Sequence, residues 1–245
     1  MKPTFPLIAA SHTPFDRHGE LLLDSVRQQA DHLRSVGVAG VLIAGSTGEG
    51  PSLTSAERHR LAEAWVDAGD SLDVMVQVGH ASLREAADLA RHAADAGADA
   101  ICAAPPSWFK IESAKSLAQS CAEIAAGAPD LPFYYYHIPV LSSVQVAVTE
   151  FLAEAQELIP SLAGVKFTHD DVEDFRACVA EFGDAVQLLW GTDEALLTGL
   201  QAGAHGAVGS TYNFATPLYR RLLSAYHSGD MGTASEMQER SIRLV

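Results

Sequence analysis

The chain is predicted to fold as a closed, parallel (β/α)8 barrel, a TIM barrel, and three patterns in its 245 residues carry that prediction. Eight short apolar runs alternate with longer amphipathic stretches, the helical stretches open on capping signatures, and glycine recurs where helical periodicity stops. A βα unit repeated eight times closes on itself as a barrel, and about 250 residues is an ordinary length for such a domain.

The apolar runs are Pro6–Ala10, Gly40–Ala44, Leu72–Val78, Ala98–Ala103, Leu131–His137, Leu162–Phe167, Ala185–Trp190 and Ala204–Gly209. Each is short and several are rich in β-branched or aromatic residues, as expected of strands buried on both faces. Between them, Thr54-Ser-Ala-Glu57 and Ser82-Leu-Arg-Glu85 match the capping box, in which a hydroxyl and a carboxylate satisfy each other's backbone amides. Gly37, Gly69, Gly97, Gly127, Gly183 and Gly203 stand where a left-handed residue would end each helix. Tyr219–Tyr226 reads as the eighth helix and Asp230–Val245 as the start of another, so residues 1–228 are expected to form the barrel and 229–245 the start of a C-terminal helical extension. An open doubly wound sheet is disfavoured, because no G-x-G-x-x-G follows the first run and no break in composition splits the chain.

Composition narrows the partners. With 48% hydrophobic and 19% charged residues the chain can bury a large core. Its formal charge of −15 repels phosphate backbones and anionic lipid, which argues against nucleic acid or a membrane surface. An anionic substrate would then need a local pocket lined by amides or cations. Cys102, Cys121 and Cys178 form no C-x-x-C pair, so neither a disulfide framework nor a zinc site is expected and a reducing cytosol fits best. Met1–Phe5 lacks the features of a signal peptide, and the longest apolar stretch, Val36–Gly45, is too short to span a bilayer. The ten histidines are scattered without metal-ligand spacing, so no metal is expected.

In a barrel of this kind chemistry belongs at the C-terminal ends of the strands. Of the lysines, Lys2, Lys110 and Lys115 lie in terminal, loop or helix contexts, whereas Lys166 lies within the apolar strand Leu162-Ala-Gly-Val-Lys-Phe-Thr168. Most strand lysines snorkel to water or pair with a carboxylate. An amine held inside a barrel has no short route to water, and burial favours the neutral form, which is the nucleophile. After the second strand, Gly45-Ser-Thr-Gly-Glu-Gly50 could turn backbone N–H groups and the Ser46 and Thr47 hydroxyls onto a carboxylate, although a glycine-rich turn is commonly only a turn. In Phe133-Tyr-Tyr-Tyr-His-Ile-Pro139 the period of two puts Tyr134 and Tyr136 on one face, with Tyr136 nearer the rim, where its phenol could relay a proton or simply pack. Thr168, Gly191-Thr-Asp-Glu194 and Gly209-Ser-Thr211 add polar groups suited to a polyhydroxylated ligand, with helix-dipole charges as the plainer reading of Asp193 and Glu194.

GSTGEG at 45–50, YYYHIP at 134–139, GVKFT at 164–168, GTDE at 191–194 and GAVGSTYN at 206–213 together resemble the N-acetylneuraminate lyase and dihydrodipicolinate synthase superfamily. The resemblance spans nearly the whole chain and is stronger to the lyase branch. Synthases usually carry an arginine just beyond the Tyr-x-x-Pro segment, where this chain reads Val140-Leu-Ser-Ser143, and a tyrosine after the fourth strand, where it reads Pro105-Pro-Ser-Trp-Phe-Lys110. The resemblance implies Lys166 as Schiff-base lysine and Tyr136 as proton-transfer residue, with Ser46 and Thr47 on the pyruvyl carboxylate. It implies that Thr168, Gly191, Asp193, Glu194 and Ser210 contact the sugar. The implied reaction is reversible cleavage of N-acetylneuraminate, a sialic acid, to N-acetylmannosamine and pyruvate by a cytoplasmic homotetramer without cofactor. Another pyruvate-dependent aldolase or synthase, or a keto-acid-binding barrel without turnover, would be built on the same motifs.

Overall fold

The computed structural model describes residues 5–245, and Met1–Thr4, Lys2 included, lie outside the described residues. Strands β1 (Leu7–Ala10), β2 (Gly40–Ile43), β3 (Asp73–Gln77), β4 (Ala100–Ala103), β5 (Phe133–His137), β6 (Leu162–Phe167), β7 (Gln187–Trp190) and β8 (Gly206–Gly209) close in chain order into one parallel barrel. The closure is made by β8 pairing back onto β1, with Val208 opposite Ile8. Each strand falls inside one of the expected runs.

Alternation along the strands sorts side chains between two cores. Leu42, Met75, Cys102, Tyr134, Tyr136, Leu189 and Val208 fill the inside of the cylinder. Their strand neighbours, among them Val41, Ile43, Val74, Val76, Ile101, Tyr135, Val165 and Phe167, face the surrounding helices. Burying such a side chain contributes roughly 1.5–3 kcal/mol, so a one-residue slip of a strand would forfeit several of these at once.

The outer layer comprises α1 (Asp24–Val36), α2 (Ser55–Gly69), α3 (Leu83–Ala96), α4 (Ala114–Ala125), the single turn α5 (Pro139–Ser142), α6 (Val148–Leu158), α7 (Val172–Phe182), α8 (Leu196–Gln201), α9 (Tyr212–Ser228) and α10 (Met231–Ile242). The capping box at Thr54 is complete. At Ser82 only half forms: its hydroxyl accepts from the Glu85 amide, while the Glu85 carboxylate takes the Ser55 hydroxyl at 2.7 Å and so ties α3 to α2. Gly37, Gly97 and Gly203 adopt the left-handed conformation expected of them. Gly69, Gly127 and Gly183 do not. The first is the last residue of α2, where Asp70 takes the positive φ of 48°, and at Gly127 a side chain would strike the Ala87 carbonyl of α3.

Helix α9 begins seven residues before the expected Tyr219, with Pro217 inside it. A proline lacks the N–H that would bond the carbonyl four residues back. That carbonyl, of Asn213, instead accepts from His32 Nε2 at 3.1 Å, so the interruption is satisfied from α1. Asp230 caps α10 by accepting from the Thr233 amide. No helix among the described residues is long and apolar enough to cross a membrane.

His137 ends β5 on its outer face, only 2% exposed, with the Phe167 ring 5.0 Å away, His169 5.4 Å away and the Tyr135 hydroxyl 3.3 Å from Nδ1. Burial pushes its pKa down to about 4; His169 pushes the same way, against Asp174 and Asp171. The folded state therefore refuses a proton that the unfolded chain accepts below about pH 6.5, and stability falls as pH drops from there towards 4. Urea titrations at pH 7 and 4.5 should lose about 2.5 kcal/mol through this group, and His137→Gln should remove most of that difference.

Candidate active site

The upper rim encloses a cavity of about 160 Å³, and every residue that the resemblance assigned a role borders it: Ser46, Thr47, Tyr136, Lys166, Thr168, Gly191, Asp193, Glu194 and Ser210. Lys166 and Tyr136 are neighbours because β5 and β6 run in parallel register with the two residues opposite each other, both pointing inward. Lys166 is 4% exposed, and its Nζ stands 3.6 Å from the centre of the Tyr136 ring. Among the described residues it forms no salt bridge. The snorkelling and ion-paired roles are thus both absent, while Lys110 and Lys115 are exposed as expected.

The two inward tyrosines differ in what holds them. Tyr134 donates to Gln187 Oε1 at 2.9 Å, at the end of the barrel away from the cavity, and burial pushes its phenol up to about 12. Tyr136 reaches the rim, where its hydroxyl lies 3.1 Å from Ser46 Oγ, and either oxygen can donate. A phenol and a serine hydroxyl in contact can pass a proton between them. Cys102, also inside the barrel, is pushed up to about 12 by burial against the opposing pull of Lys166, so it stays a thiol and offers no competing nucleophile.

The Ser46 loop differs in detail from the expectation that its glycines supply the bend. Positive φ occurs at Ala44 (52°) and Glu49 (55°) rather than at Gly45, Gly48 or Gly50. Two of the glycines serve close approach instead: a β-carbon at Gly48 would stand 2.9 Å from the Ser11 carbonyl, and one at Gly50 would strike the Ala44 carbonyl. Among the described residues the amides of Ser46, Thr47 and Gly48 have no backbone partner, which leaves them free for an anion.

Opposite, Asp193 is buried at 4% exposure; its Oδ2 accepts from the Thr211 amide at 2.8 Å and from the Thr211 hydroxyl at 2.6 Å. That hydroxyl also meets the Tyr219 hydroxyl at 2.7 Å. Burial raises the Asp193 pKa, the Thr211 bonds oppose that rise, Glu194 adds to it and Lys166 opposes it. Asp193 opens a short 3-10 turn, Asp193–Ala195, so the helix-start and cavity-wall readings of this residue hold together. Asp193 Oδ1 and Thr168 Oγ1 are buried without a partner, and both residues line the cavity. Their glycine neighbours make the room, since a β-carbon at Gly209 would overlap the Asp193 carboxylate and one at Gly191 the Thr168 hydroxyl. Glu194 is exposed at the mouth.

Arg58 was not anticipated. It is 3% exposed and donates to the Gly79 carbonyl (3.1 Å), the Gln77 carbonyl and Gln77 Oε1 (3.1 Å), and burial lowers its pKa to about 10. It borders a second cavity of about 220 Å³ that shares Ser46 and Tyr136 with the first. In Glu57-Arg-His-Arg60 it reads as one of several charges on a solvated face. The signal was its spacing: Arg58 begins the buried stripe continued by Leu61, Ala62 and Trp65. Tyr219 and Gln238, which help buttress Asp193, were also missed, while Thr211, expected to face the ligand, bonds the Asp193 carboxylate instead. Among the described residues no cluster of three or more His, Cys, Asp or Glu could hold a metal ion.

The fold and cavity define a (β/α)8-barrel protein whose rim converges on a buried, unpaired lysine. Residues 5–245 match the Dihydrodipicolinate synthetase family, and the chain belongs to that family. It is 42% identical over 243 residues to an N-acetylneuraminate lyase of Rattus norvegicus, covering 98% of this chain and 76% of the relative. The Homo sapiens N-acetylneuraminate lyase is 41% identical over 236 residues, 95% of this chain and 74% of the relative. Among solved structures, Proteus mirabilis N-acetylneuraminate lyase superposes with a TM-score of 0.94 at 36% identity, covering 97% of this chain and 81% of that one. The Aliivibrio salmonicida enzyme gives 0.93 at 38%, covering 97% and 79%.

Overlap between residue 209 and Asp193 makes a direct stability test. Gly209→Ala should cost about 1–3 kcal/mol in urea unfolding, as overpacking does, and part of that cost should vanish in an Asp193→Ala background. Additive costs would mean the two positions do not compete for the same space.

Proposed function

We propose that this chain is a class I aldolase, a carbon–carbon lyase that cleaves N-acetylneuraminate reversibly to N-acetylmannosamine and pyruvate. The observation that carries the reading is the buried Lys166 amine beside Tyr136, free of any salt bridge among the described residues. Lys166 attacks the keto carbon of the open-chain sugar acid, water leaves, and the iminium so formed withdraws electrons from the C3–C4 bond. Tyr136, in contact with Ser46, takes the C4 hydroxyl proton as that bond breaks; its electron pair becomes the enamine of pyruvate. N-acetylmannosamine leaves, the enamine carbon is protonated, and water returns pyruvate and the free amine.

The free amides and hydroxyls of Ser46 and Thr47 grip the carboxylate, which supplies the local anion pocket that a chain of charge −15 requires. Thr168, Gly191, Asp193, Glu194 and Ser210, which line the cavity, hold the sugar. Three free, buried cysteines agree with a cytoplasmic location. Among the described residues, those up to Ser228 form the barrel and 229–245 a helical extension carrying α10, a division that falls in the turn between α9 and α10.

The protein is a homo-oligomer in this reading, a tetramer by resemblance. Trp108 (81% exposed), Phe109 (80%), Val140 (83%) and Leu141 (60%) put large apolar side chains in water on two adjacent rim segments, and a subunit contact would cover them.

Borohydride reduction with pyruvate, followed by peptide mass mapping, should place the adduct on Lys166. An adduct on Lys110 or Lys115 would refute the site. Lys166→Ala should lower kcat by about a thousandfold or more, and Tyr136→Phe by about a hundredfold or more. Turnover of 2-keto-3-deoxy sugar acids equal to or better than that of N-acetylneuraminate would replace the substrate, and trapping without any cleavage would make the chain a keto-acid binder. Sedimentation should find an assembly larger than a monomer that the double change Trp108→Ser, Phe109→Ser reduces.

A further inference from the structure

Helix α10 contributes nothing to the cavity wall from Met231–Ile242, yet one of its side chains fastens the turn that carries Asp193. Gln238 is 8% exposed. Its Oε1 accepts from the Leu197 amide at 2.7 Å, and its Nε2 donates to the Asp193 carbonyl at 3.2 Å and to Ser241 Oγ at 2.5 Å. Leu197 N is one of the amides at the start of α8 that the helix itself leaves without a partner, and the Asp193 carbonyl is at the start of the preceding 3-10 turn. A single primary amide therefore clamps both ends of the segment 193–197. Its orientation is dictated, because the reversed amide would set its oxygen against the Asp193 carbonyl and its N–H groups against the Leu197 N–H.

The same turn is held from the other side. The Asp193 carboxylate is bonded to Thr211, whose hydroxyl meets Tyr219, so Asp193 is gripped at its main chain by α10 and at its side chain by the turn after β8. Ser241, fully buried, completes the arrangement by donating back to the Gln238 carbonyl at 2.8 Å. The pyruvyl side of the cavity, with Lys166, Tyr136, Ser46 and Thr47, makes none of these bonds.

We infer that Gln238 is a positioning residue for sugar binding: through the Asp193 carbonyl and the Leu197 amide it sets the Asp193–Glu194 turn against the distal part of the substrate and leaves imine chemistry at Lys166 untouched. The inference rests on the proposed assignment of that turn to the sugar. Removing the amide leaves the buried Leu197 N–H without its partner and the Asp193 carbonyl with the Leu196 amide alone, a loss large enough to shift the turn.

The test uses Gln238→Met, which keeps length and burial but neither hydrogen-bonding group. KM for N-acetylneuraminate should rise about tenfold while kcat and the pyruvate concentration for half-maximal borohydride trapping at Lys166 stay within about twofold. Hydrogen exchange followed by mass spectrometry should show faster exchange in the peptide spanning 193–197 and none in β5 or β6. Unchanged exchange in that peptide, or trapping that weakens as much as sugar binding, would overturn the inference. Should Gln238→Met fail to fold, Ser241→Ala removes one bond of the clamp and should show the same pattern at about threefold in KM, with an unaltered KM and exchange counting against the clamp. The exchange readout needs no turnover, so wild-type protein that traps pyruvate without cleaving sialate would defeat the substrate assignment and leave the clamp to be judged on exchange alone.

Discussion

A primary amine lies inside a β-cylinder against the face of a tyrosine ring, in no salt bridge among the described residues, and the rest of the rim is organised around that contact. Lys166 and Tyr136 meet because adjacent parallel strands carry them in the same register and the same inward phase. A shift of either strand by one residue would send one of the pair outward among the helices, where Phe167 and Tyr135 now pack. The closed sheet thus does two things at once: it keeps the amine from bulk water and holds the phenol at a fixed distance from it.

Around this pair the rim divides into two halves of different construction. The Ser46 side is backbone, a loop bent by Ala44 and Glu49 that leaves amides unpartnered. The Asp193 side is a network of side chains in which a buried carboxylate is bound by Thr211, backed by Tyr219, and tied through its main chain to Gln238. Such buried polar networks are rigid only when their members are satisfied. Here the conspicuous exceptions, Asp193 Oδ1 and Thr168 Oγ1, are buried atoms of two residues that line the cavity.

Much of this was legible before any coordinates. The eight apolar runs contain the eight strands, and the complete capping box at Thr54 marks a true helix start. Lys166 stood out because a charged residue in an apolar strand needs a reason. Where the reading failed, the competing cause was tertiary. Pro217 lies inside α9 because a histidine on α1 bonds the carbonyl it leaves free, and Gly127 is required by the carbonyl of a neighbouring helix rather than by its own φ. Arg58 escaped notice because a guanidinium in a run of charges looks solvated until Gln77 and Gly79 are seen to receive it.

Hydrophobic periodicity, capping residues and a single misplaced lysine are local properties of the chain, and they were enough to determine a parallel barrel, the phase of its strands and the rim segments that face one cavity. Distances and partnerships between segments far apart in sequence were decided only when the barrel closed: Ser46 on Tyr136, Gly209 against Asp193, and Gln238 clamping Asp193 and Leu197 across 45 and 41 residues. Periodicity records which way a side chain points but carries no information about which distant group it meets.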